Sequence, residues 1–186
     1  FSAIKHDNAY SPRYRGYAYL SSVAELEPND PEEAQALSLI RDWDLHTDTA
    51  NRNAALGVCI LLEEWQAERT GNPLPDARET LQTCMESVRD VAGQLNPEWG
   101  AVQQHGRGQR TWPAAGGPDT LRAMYAEQLE DEDDFLTVVA GDGLYYLIEW
   151  NAEGEQTIRG THQYGSQMID ESSPHYLDQA ESLSLI

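Results

Sequence analysis

The sequence predicts an α+β fold in which a helical first half is followed by an antiparallel sheet and a closing helix. Apolar residues recur at helical spacing through residues 1–96, whereas residues 97–186 are rich in glycine, aromatic and β-branched residues. A length of 186 residues suits one domain with its own core. We therefore expect residues 1–186 to form a single domain made of these two parts.

The first two helices are predicted from periodicity and from cap residues. Apolar side chains at helical spacing predict the first helix over residues 12–26. Asp30 is a good N-cap residue, and Pro31 after it suits the first helical position. The second helix should therefore begin at Pro31 and run to about Trp43.

The next two helices are predicted to form an antiparallel hairpin. The third covers residues 48–69 and stops at Gly71, and the fourth covers residues 76–95 with an apolar stripe along one face. Only a short segment containing glycine and proline joins them. A connection of this length favours antiparallel neighbours.

The two cysteines lie on this predicted hairpin, at similar distances from the turn near Asn72. Cys59 and Cys84 should therefore sit at the same level on facing helices. Cys84 is central to its apolar stripe and Cys59 lies at the edge of its own, so the favoured interpretation is two buried free thiols. A disulfide is the alternative if the protein is exported, and no cationic neighbour in the sequence activates either thiol.

The second half is predicted to be mainly β. Alternating residues predict strands over residues 99–104, 135–140, 144–150 and 157–164. The Gly141-Asp142-Gly143 segment and residues 151–154 are predicted to be hairpin turns. Gly165 allows a sharp exit from the last strand, and Ser173-Pro174 is a cap residue followed by proline, which predicts a closing helix.

The charge of the chain excludes two classes of partner. The formal net charge is −20, and Lys5 is the only lysine. Nucleic acid and anionic membranes would be repelled by this field. Either adaptation to high salt or ordinary solubility explains such a composition. No apolar run reaches the roughly 18 residues of a membrane span, and residues 1–6 lack the features of a signal peptide.

Three basic residues stand in a loop that is punctuated by glycine. His105, Arg107 and Arg110 have the chemistry to bind a carboxylate or to line an acyl pocket. The favoured interpretation is that they are counter-charges to the acids of the chain itself. Gly106 and Gly108 lack the sequence context of a phosphate-binding loop, so no nucleotide site is predicted.

Two further sets of residues resemble metal ligands. His175 and Asp178 lie three positions apart, but no third ligand accompanies them, so hydrogen bonds that fix the helix start are favoured. His162 is interpreted in the same way. Residues 130–134 lack the glycine and terminal glutamate of an EF-hand loop and are predicted to form a solvated acidic turn. No metal and no cofactor are predicted.

Four stretches resemble, in the same order, segments of penicillin acylases and acyl-homoserine-lactone acylases. They read WDLHTDTANRNAAL at 43–56, WGAVQQHGRG at 99–108, GGPDTLRA at 116–123, and YGSQ followed by SPHYLDQ within 160–179. In this family context residues 121–125 are a strand, although residues 120–129 alone also fit a helix. For each residue of the first stretch taken alone, a structural role is the favoured interpretation: Trp43 packs, Thr47 or Asp48 caps the next helix, and Arg52 pairs with an acid.

The resemblance implies an N-terminal-nucleophile hydrolase of αββα architecture, made as a precursor that cleaves itself into two chains. In that family the exposed N-terminal serine attacks the amide, its own α-amino group acts as the base, and a backbone N–H and an asparagine side chain hold the oxyanion. The motifs that supply these groups lie upstream of every matched stretch. Phe1 cannot be the nucleophile, Ser2 is not terminal, and no catalytic residue is assigned in this chain.

The resemblance therefore implies a C-terminal portion of the larger acylase chain, with a structural and pocket-forming role. Its partners would be the rest of the precursor and a small amide such as a β-lactam, an acyl-homoserine lactone or a lipopeptide. The parent protein would be periplasmic or secreted. Two alternatives remain: a binding or interaction module that has lost the chemistry, and an unrelated hydrolase that uses His105, His162 or His175 with a serine.

Overall fold

The computed structural model describes residues 7–129, 134–167 and 169–184, and its elements follow a helices-then-strands order. The helices in this part of the chain are α1 (Tyr17–Ala24), α2 (Pro31–Arg41), α3 (Ala54–Thr70), α4 (Ala77–Ala92), α5 (Trp99–Val102) and α6 (Ala180–Ser184). The strands are β1 (Gln103–Arg107), β2 (Arg110–Pro113), β3 (Met124–Glu127), β4 (Leu136–Gly141), β5 (Leu144–Trp150) and β6 (Gln156–His162). This arrangement confirms the predicted α+β class.

The strands form two separate sheets. One has the order β2-β1-β4-β3, with two antiparallel pairs joined by a parallel pairing of β1 with β4. The other is a two-stranded antiparallel ribbon of β5 and β6. The prediction of a wholly antiparallel sheet is wrong at the β1–β4 pairing, because the long segment after β2 lets the chain return beside β1 in the same direction.

One predicted hairpin turn is confirmed and the other is wrong. Residues 151–154 lie in the tight turn between β5 and β6. The Gly141-Asp142-Gly143 segment instead connects two sheets. The Asp142 backbone N–H donates to the Ala123 carbonyl at 2.8 Å, so the chain is held against β3 and does not fold back along β4.

Cap residues set several helix ends as predicted. Asp30 Oδ1 accepts from the backbone N–H groups of Glu32 and Glu33 at 2.8 Å, and α2 begins at Pro31. Gly71 ends α3 as predicted, with a φ of 70° in the left-handed conformation that glycine adopts without penalty. The predicted end of α4 at residue 95 is wrong, because Gly93 takes the same conformation, with a φ of 68°, and ends the helix at Ala92.

The starts of α1 and α3 differ from the prediction. Residues 12–16 form turns, so α1 begins only at Tyr17. Residues 48–53 also form turns, and α3 begins at Ala54. Thr47 does not cap α3, because its hydroxyl donates to the Asn8 carbonyl at 2.5 Å. Asp48 is likewise used elsewhere, accepting from the Asn8 side chain at 2.9 Å.

The main core lies among the helices. Its residues come from α1 to α5, from the segments between them, and from Tyr10 ahead of α1. Trp43 packs as predicted, lying flat against α3 where Gly57 leaves room. A Cβ atom on Gly57 would lie only 2.1 Å from the Trp43 ring. A second, small core joins Ala114, Met124 and Val138 within the four-stranded sheet.

A disulfide joins Cys59 of α3 to Cys84 of α4, with a Cα–Cα distance of 5.8 Å. The predicted antiparallel hairpin and the equal level of the two cysteines are confirmed. The prediction of two free thiols is wrong. An edge position on the apolar stripe of α3 still faces the neighbouring helix, so the half-buried Cys59 reaches the fully buried Cys84.

Two segments take a different structure from the prediction because distant groups bind their backbone. Residues 99–102 form the helical turn α5 and not a strand, and the Trp99 and Gly100 N–H groups donate to Asn51 and Thr49 at 2.9 and 2.8 Å. After Ser173 the chain forms turns, and helix α6 begins only at Ala180. Residues 130–133, predicted as an acidic turn, lie outside the described residues.

Candidate functional site

The acylase-like stretches are brought together by backbone hydrogen bonds. The stretch 99–108 bonds to 43–56 through Trp99 and Gly100, as given above. The stretch 116–123 joins both, because the Gly116 N–H donates to the Thr47 carbonyl at 3.1 Å. The Gly116 carbonyl accepts from the Trp99 indole N–H at 2.9 Å and from the Gln103 side chain at 3.0 Å. Three stretches distant in sequence therefore share one buried network.

Arg107 ties the fourth stretch to the same network. Its guanidinium donates to the carbonyls of Tyr176 and Gln167 at 3.1 and 3.2 Å. It also lies against two aromatic rings, 4.7 Å from the Tyr164 centroid and 4.1 Å from the Tyr176 centroid. Two backbone bonds hold the segment beside Arg107 in place: the Gln167 N–H donates to the His175 carbonyl, and the Gln179 N–H donates to the Tyr164 carbonyl.

An apolar cleft of about 530 Å³ lies beside this network, between the α3–α4 hairpin and the neighbouring strands β3 and β4. This volume is within the range of small-molecule sites. Apolar residues from four structural regions supply most of its lining: Ala55, Val58 and Leu62 from α3; Val88 and Val91 from α4; Trp99 and Val102 from α5; and Ala126, Leu136 and Val139 from the sheet.

Polar residues are confined to a few positions in the cleft lining. Trp65 and Tyr125 face each other with ring centroids 5.2 Å apart, and the Arg69 guanidinium lies 5.0 Å from the Trp65 ring. Burial raises the pKa of Tyr125, and the nearby Asp119 carboxylate raises it further. Glu127 is the acid among the lining residues. Such a cleft suits an apolar group that carries a small polar end.

His105 is buried and does not act as a counter-charge. It is 0% exposed, its ring lies 5.7 Å from that of Trp112, and its Nδ1 lies 3.5 Å from the Gln163 amide. Burial lowers the pKa of His105 to about 4, with a further contribution from the positive charge of Arg122. His105 is therefore a neutral core residue at neutral pH.

The lowered pKa of His105 predicts that stability falls as the pH falls. The unfolded chain binds this proton at about pH 6.5, whereas the folded chain does so at about pH 4. Stability from neutral His105 is thus fully present above pH 6.5 and lost as the pH falls to 4, by about 3 kcal/mol in all. Chemical denaturation at pH 7 and pH 4.5 should show this loss. A His105→Gln variant should lack it, and an identical pH profile in the variant would contradict the prediction.

The favoured interpretation of Arg107 and Arg110 as counter-charges is wrong. Arg107 bonds to the Tyr176 and Gln167 carbonyls and lies against two tyrosine rings, and no carboxylate of a described residue forms an ion pair with it. Arg110 is exposed on β2 and forms no ion pair with a described residue. Arg52, by contrast, pairs with Glu98 at 2.6 Å, as predicted.

The rings of the other described histidines make no hydrogen bond to one another. His175 Nδ1 lies 3.0 Å from Asp178 Oδ2, and this hydrogen bond lowers the pKa of Asp178. The predicted hydrogen bonding of the pair is confirmed, but the predicted place at a helix start is wrong, because both residues lie in the turns that precede α6. His162 is half-buried at the end of β6. Over the described ranges, no histidine ring bonds to a serine hydroxyl and no group of three metal-ligating residues forms.

Arg122 is a functional candidate that sequence reasoning missed. It is fully buried and donates from Nη1 to the Asp142 carbonyl and the Tyr145 hydroxyl, and from Nη2 to the Leu183 carbonyl, each at 3.0 Å. Tyr145 in turn donates to Asp142 Oδ2 at 3.1 Å. Arg122 thus joins β3, the β4–β5 connection and α6. The only sequence signal was its place in the GGPDTLRA stretch, because buried arginines are rare.

Comparison with known proteins finds no matching family model and no significantly similar curated protein. The acylase resemblance of the four stretches therefore stays a prediction. Within the described part of the chain, no helix is long and apolar enough to cross a membrane.

Proposed function

We propose that this chain is the C-terminal portion of a penicillin-acylase-like amidohydrolase with αββα architecture. Its role is structural and pocket-forming, and the nucleophile comes from the remaining part of the precursor. The observation that carries this proposal is the contact network among the four acylase-like stretches. Residues 69 positions apart in sequence meet at two points, where the Gly116 N–H donates to the Thr47 carbonyl and the Arg107 guanidinium donates to the Tyr176 carbonyl.

The kind of contact supports a scaffold role. The characteristic residues of these stretches pack and bond to one another: Trp43 on Gly57, Trp99 on Gly116, and Arg107 between Tyr164 and Tyr176. Motif residues that pack and bond in this way stabilise the fold. They are not arranged as a nucleophile with its base, a pairing that needs two side chains in hydrogen-bond contact.

The apolar cleft supports the pocket-forming part of the role. An amide substrate with an apolar acyl group would lose water-exposed surface by entering it, at a gain of about 25 cal/mol per Å² buried. Arg69 and Glu127 offer one donor and one acceptor group among the lining residues. A neutral amide has matching groups, which fits β-lactam, homoserine-lactone and lipopeptide substrates alike.

The disulfide supports a periplasmic or secreted parent protein. Structural disulfides persist in oxidising compartments and are rare in the cytosol of most organisms. The Cys59–Cys84 bond joins two core helices, so it belongs to the folded scaffold.

The test is to measure amide hydrolysis by this chain alone and by this chain co-expressed with the upstream part of its precursor. We expect activity only in the combined form, together with a new N-terminal serine detected by intact mass. Replacing that serine by alanine should abolish turnover and leave assembly unchanged.

Other outcomes would overturn the proposal in different directions. Activity of the isolated chain, lost in the His105→Ala, His162→Ala or His175→Ala variant, would establish the unrelated hydrolase. Inactivity of both forms, with ligand binding in the cleft of the isolated chain, would favour a binding module.

A further inference from the structure

The β5–β6 ribbon exposes a row of large apolar side chains on one face. In the antiparallel register Tyr146 lies opposite Gly160, and Ile148 lies opposite Ile158, so these residues share a face. The exposed fractions are 56% for Leu144, 61% for Tyr146, 42% for Ile148, 64% for Trp150 and 55% for Ile158. We call these five residues the apolar face of the ribbon.

This face carries no acidic residue and no lysine or arginine. The remaining positions on it are Gln156, Gly160 and His162. A Cβ atom on Gly160 would lie 2.4 Å from the Tyr146 ring, so the ring lies directly over the glycine. The opposite face differs, since it carries the buried Tyr145 and the ion pair of Arg159 with Glu149 at 2.6 Å. A contiguous apolar patch of this kind is typical of an interaction surface.

The edges of the ribbon are also open. Among the described residues, β5 pairs only with β6, so each strand has one edge without a ladder partner. A two-stranded ribbon is marginally stable in water, and open edges are templates for a further strand. An apolar face next to an open edge suits the addition of an extended segment.

We propose that the apolar face and the open edges of the ribbon bind an extended, apolar segment of another polypeptide, which continues the sheet. The segment carries arginine or lysine where it passes the β5–β6 turn. This inference rests on the proposed function, because the remaining part of the acylase precursor is the polypeptide that supplies the segment.

The charge of the ribbon argues for this occupant. Glu153 and Glu155 lie exposed at the turn, and the nearby Arg159 is already paired with Glu149. A basic segment therefore complements the turn. A second copy of the chain would bring two molecules of net charge −20 together, and an anionic membrane would be repelled in the same way.

The experiment measures retention of the upstream part on the tagged full chain after co-expression, followed by a titration of the purified parts. Ile148→Lys and Ile158→Lys place a cation in the apolar face. We expect each to weaken association by about tenfold or more, as for a buried interface residue. The control is Thr83→Lys, which adds the same charge at an exposed position of α4, outside the ribbon and its turn, and should leave association unchanged. Circular dichroism confirms that each variant is folded.

A second measurement distinguishes strand addition from simple coverage. Hydrogen exchange of the amides along one open edge of the ribbon should slow in the complex, and association should weaken with rising salt.

Equal association of Ile148→Lys and wild type in an active complex would overturn this inference and leave the proposed function intact. Loss of association in that variant, with no amidase activity in the wild-type complex, would support the inference and overturn the proposed function. Dimerisation of the isolated chain, or binding to zwitterionic vesicles, that depends on Ile148 would also overturn the inference.

Discussion

Replacing Arg122 with methionine is expected to lower the free energy of unfolding by about 4 kcal/mol, since acceptors stranded in a core cost about 1–3 kcal/mol each. Arg122 is fully buried, and its guanidinium donates hydrogen bonds to the Asp142 and Leu183 carbonyls and to the Tyr145 hydroxyl. Methionine keeps most of the volume and supplies no donor. Urea unfolding followed by circular dichroism measures the loss.

The sign of this effect depends on two opposing contributions. Burying a cation is costly, and here no carboxylate among the described residues lies in ion-pair contact with Arg122 to offset that cost. Two favourable contributions offset this desolvation cost: the three hydrogen bonds, and the Tyr145 ring, whose centroid lies 5.0 Å from the guanidinium carbon. We expect the stranded acceptors to dominate, because the methionine side chain replaces none of the three hydrogen bonds that the guanidinium donates. A more stable Arg122→Met protein would show that desolvation dominates.

Two further variants separate charge from geometry. Arg122→Lys keeps the positive charge but lacks the planar guanidinium that reaches several acceptors at once. Its free energy of unfolding should therefore lie between those of Arg122→Met and the wild type. Arg159→Met removes an exposed ion pair with Glu149 and should cost no more than about 0.5 kcal/mol. Release of α6, measured as faster amide exchange around Leu183, should accompany only the Arg122 variants.

Local signals in the sequence predict the elements that local interactions determine. Asp30 with Pro31 sets the start of α2, and Gly71 ends α3, because the cap bonds lie within a few residues. The strand over residues 144–150 is confirmed at both ends, since alternation and the following turn residues agree. Where chemistry and spacing agree within about ten residues, the sequence is sufficient.

The wrong predictions share another cause, which is competition from distant segments. Residues 173–179 read as a capped helix, yet the Gln179 N–H donates to Tyr164 and the His175 carbonyl accepts from Gln167. Trp99 reads as the start of a strand, but Asn51 accepts its N–H. No periodicity within either segment reveals such a partner.

The candidate site shows the same limit. A rule that arginines in an acidic chain pair with acids succeeds for the exposed Arg52 and fails for Arg107. The sequence alone could not predict the cleft, because its lining residues come from helices and strands up to about 85 residues apart. Each lining residue alone reads as ordinary core, and only the tertiary arrangement leaves space between them.

The second large effect concerns the disulfide between Cys59 and Cys84. Reducing it is expected to lower the free energy of unfolding by about 3–4 kcal/mol, from the entropy that the cross-link removes from the unfolded chain. The sequence separation of 25 residues sets this value. Unfolding of the wild type with and without a reducing agent measures the effect.

The Cys59→Ser/Cys84→Ser variant tests whether the cross-link itself is responsible. Cys84 is fully buried, so the serine hydroxyl introduced at this position adds a desolvation cost to the loss of the cross-link. The variant should therefore be at least as unstable as the reduced wild type, and insensitive to reductant. If reduction leaves the wild type unchanged, the packing of α3 on α4 alone holds the hairpin. In that case Pro73 and Pro75, which already stiffen the connection, make the covalent constraint redundant.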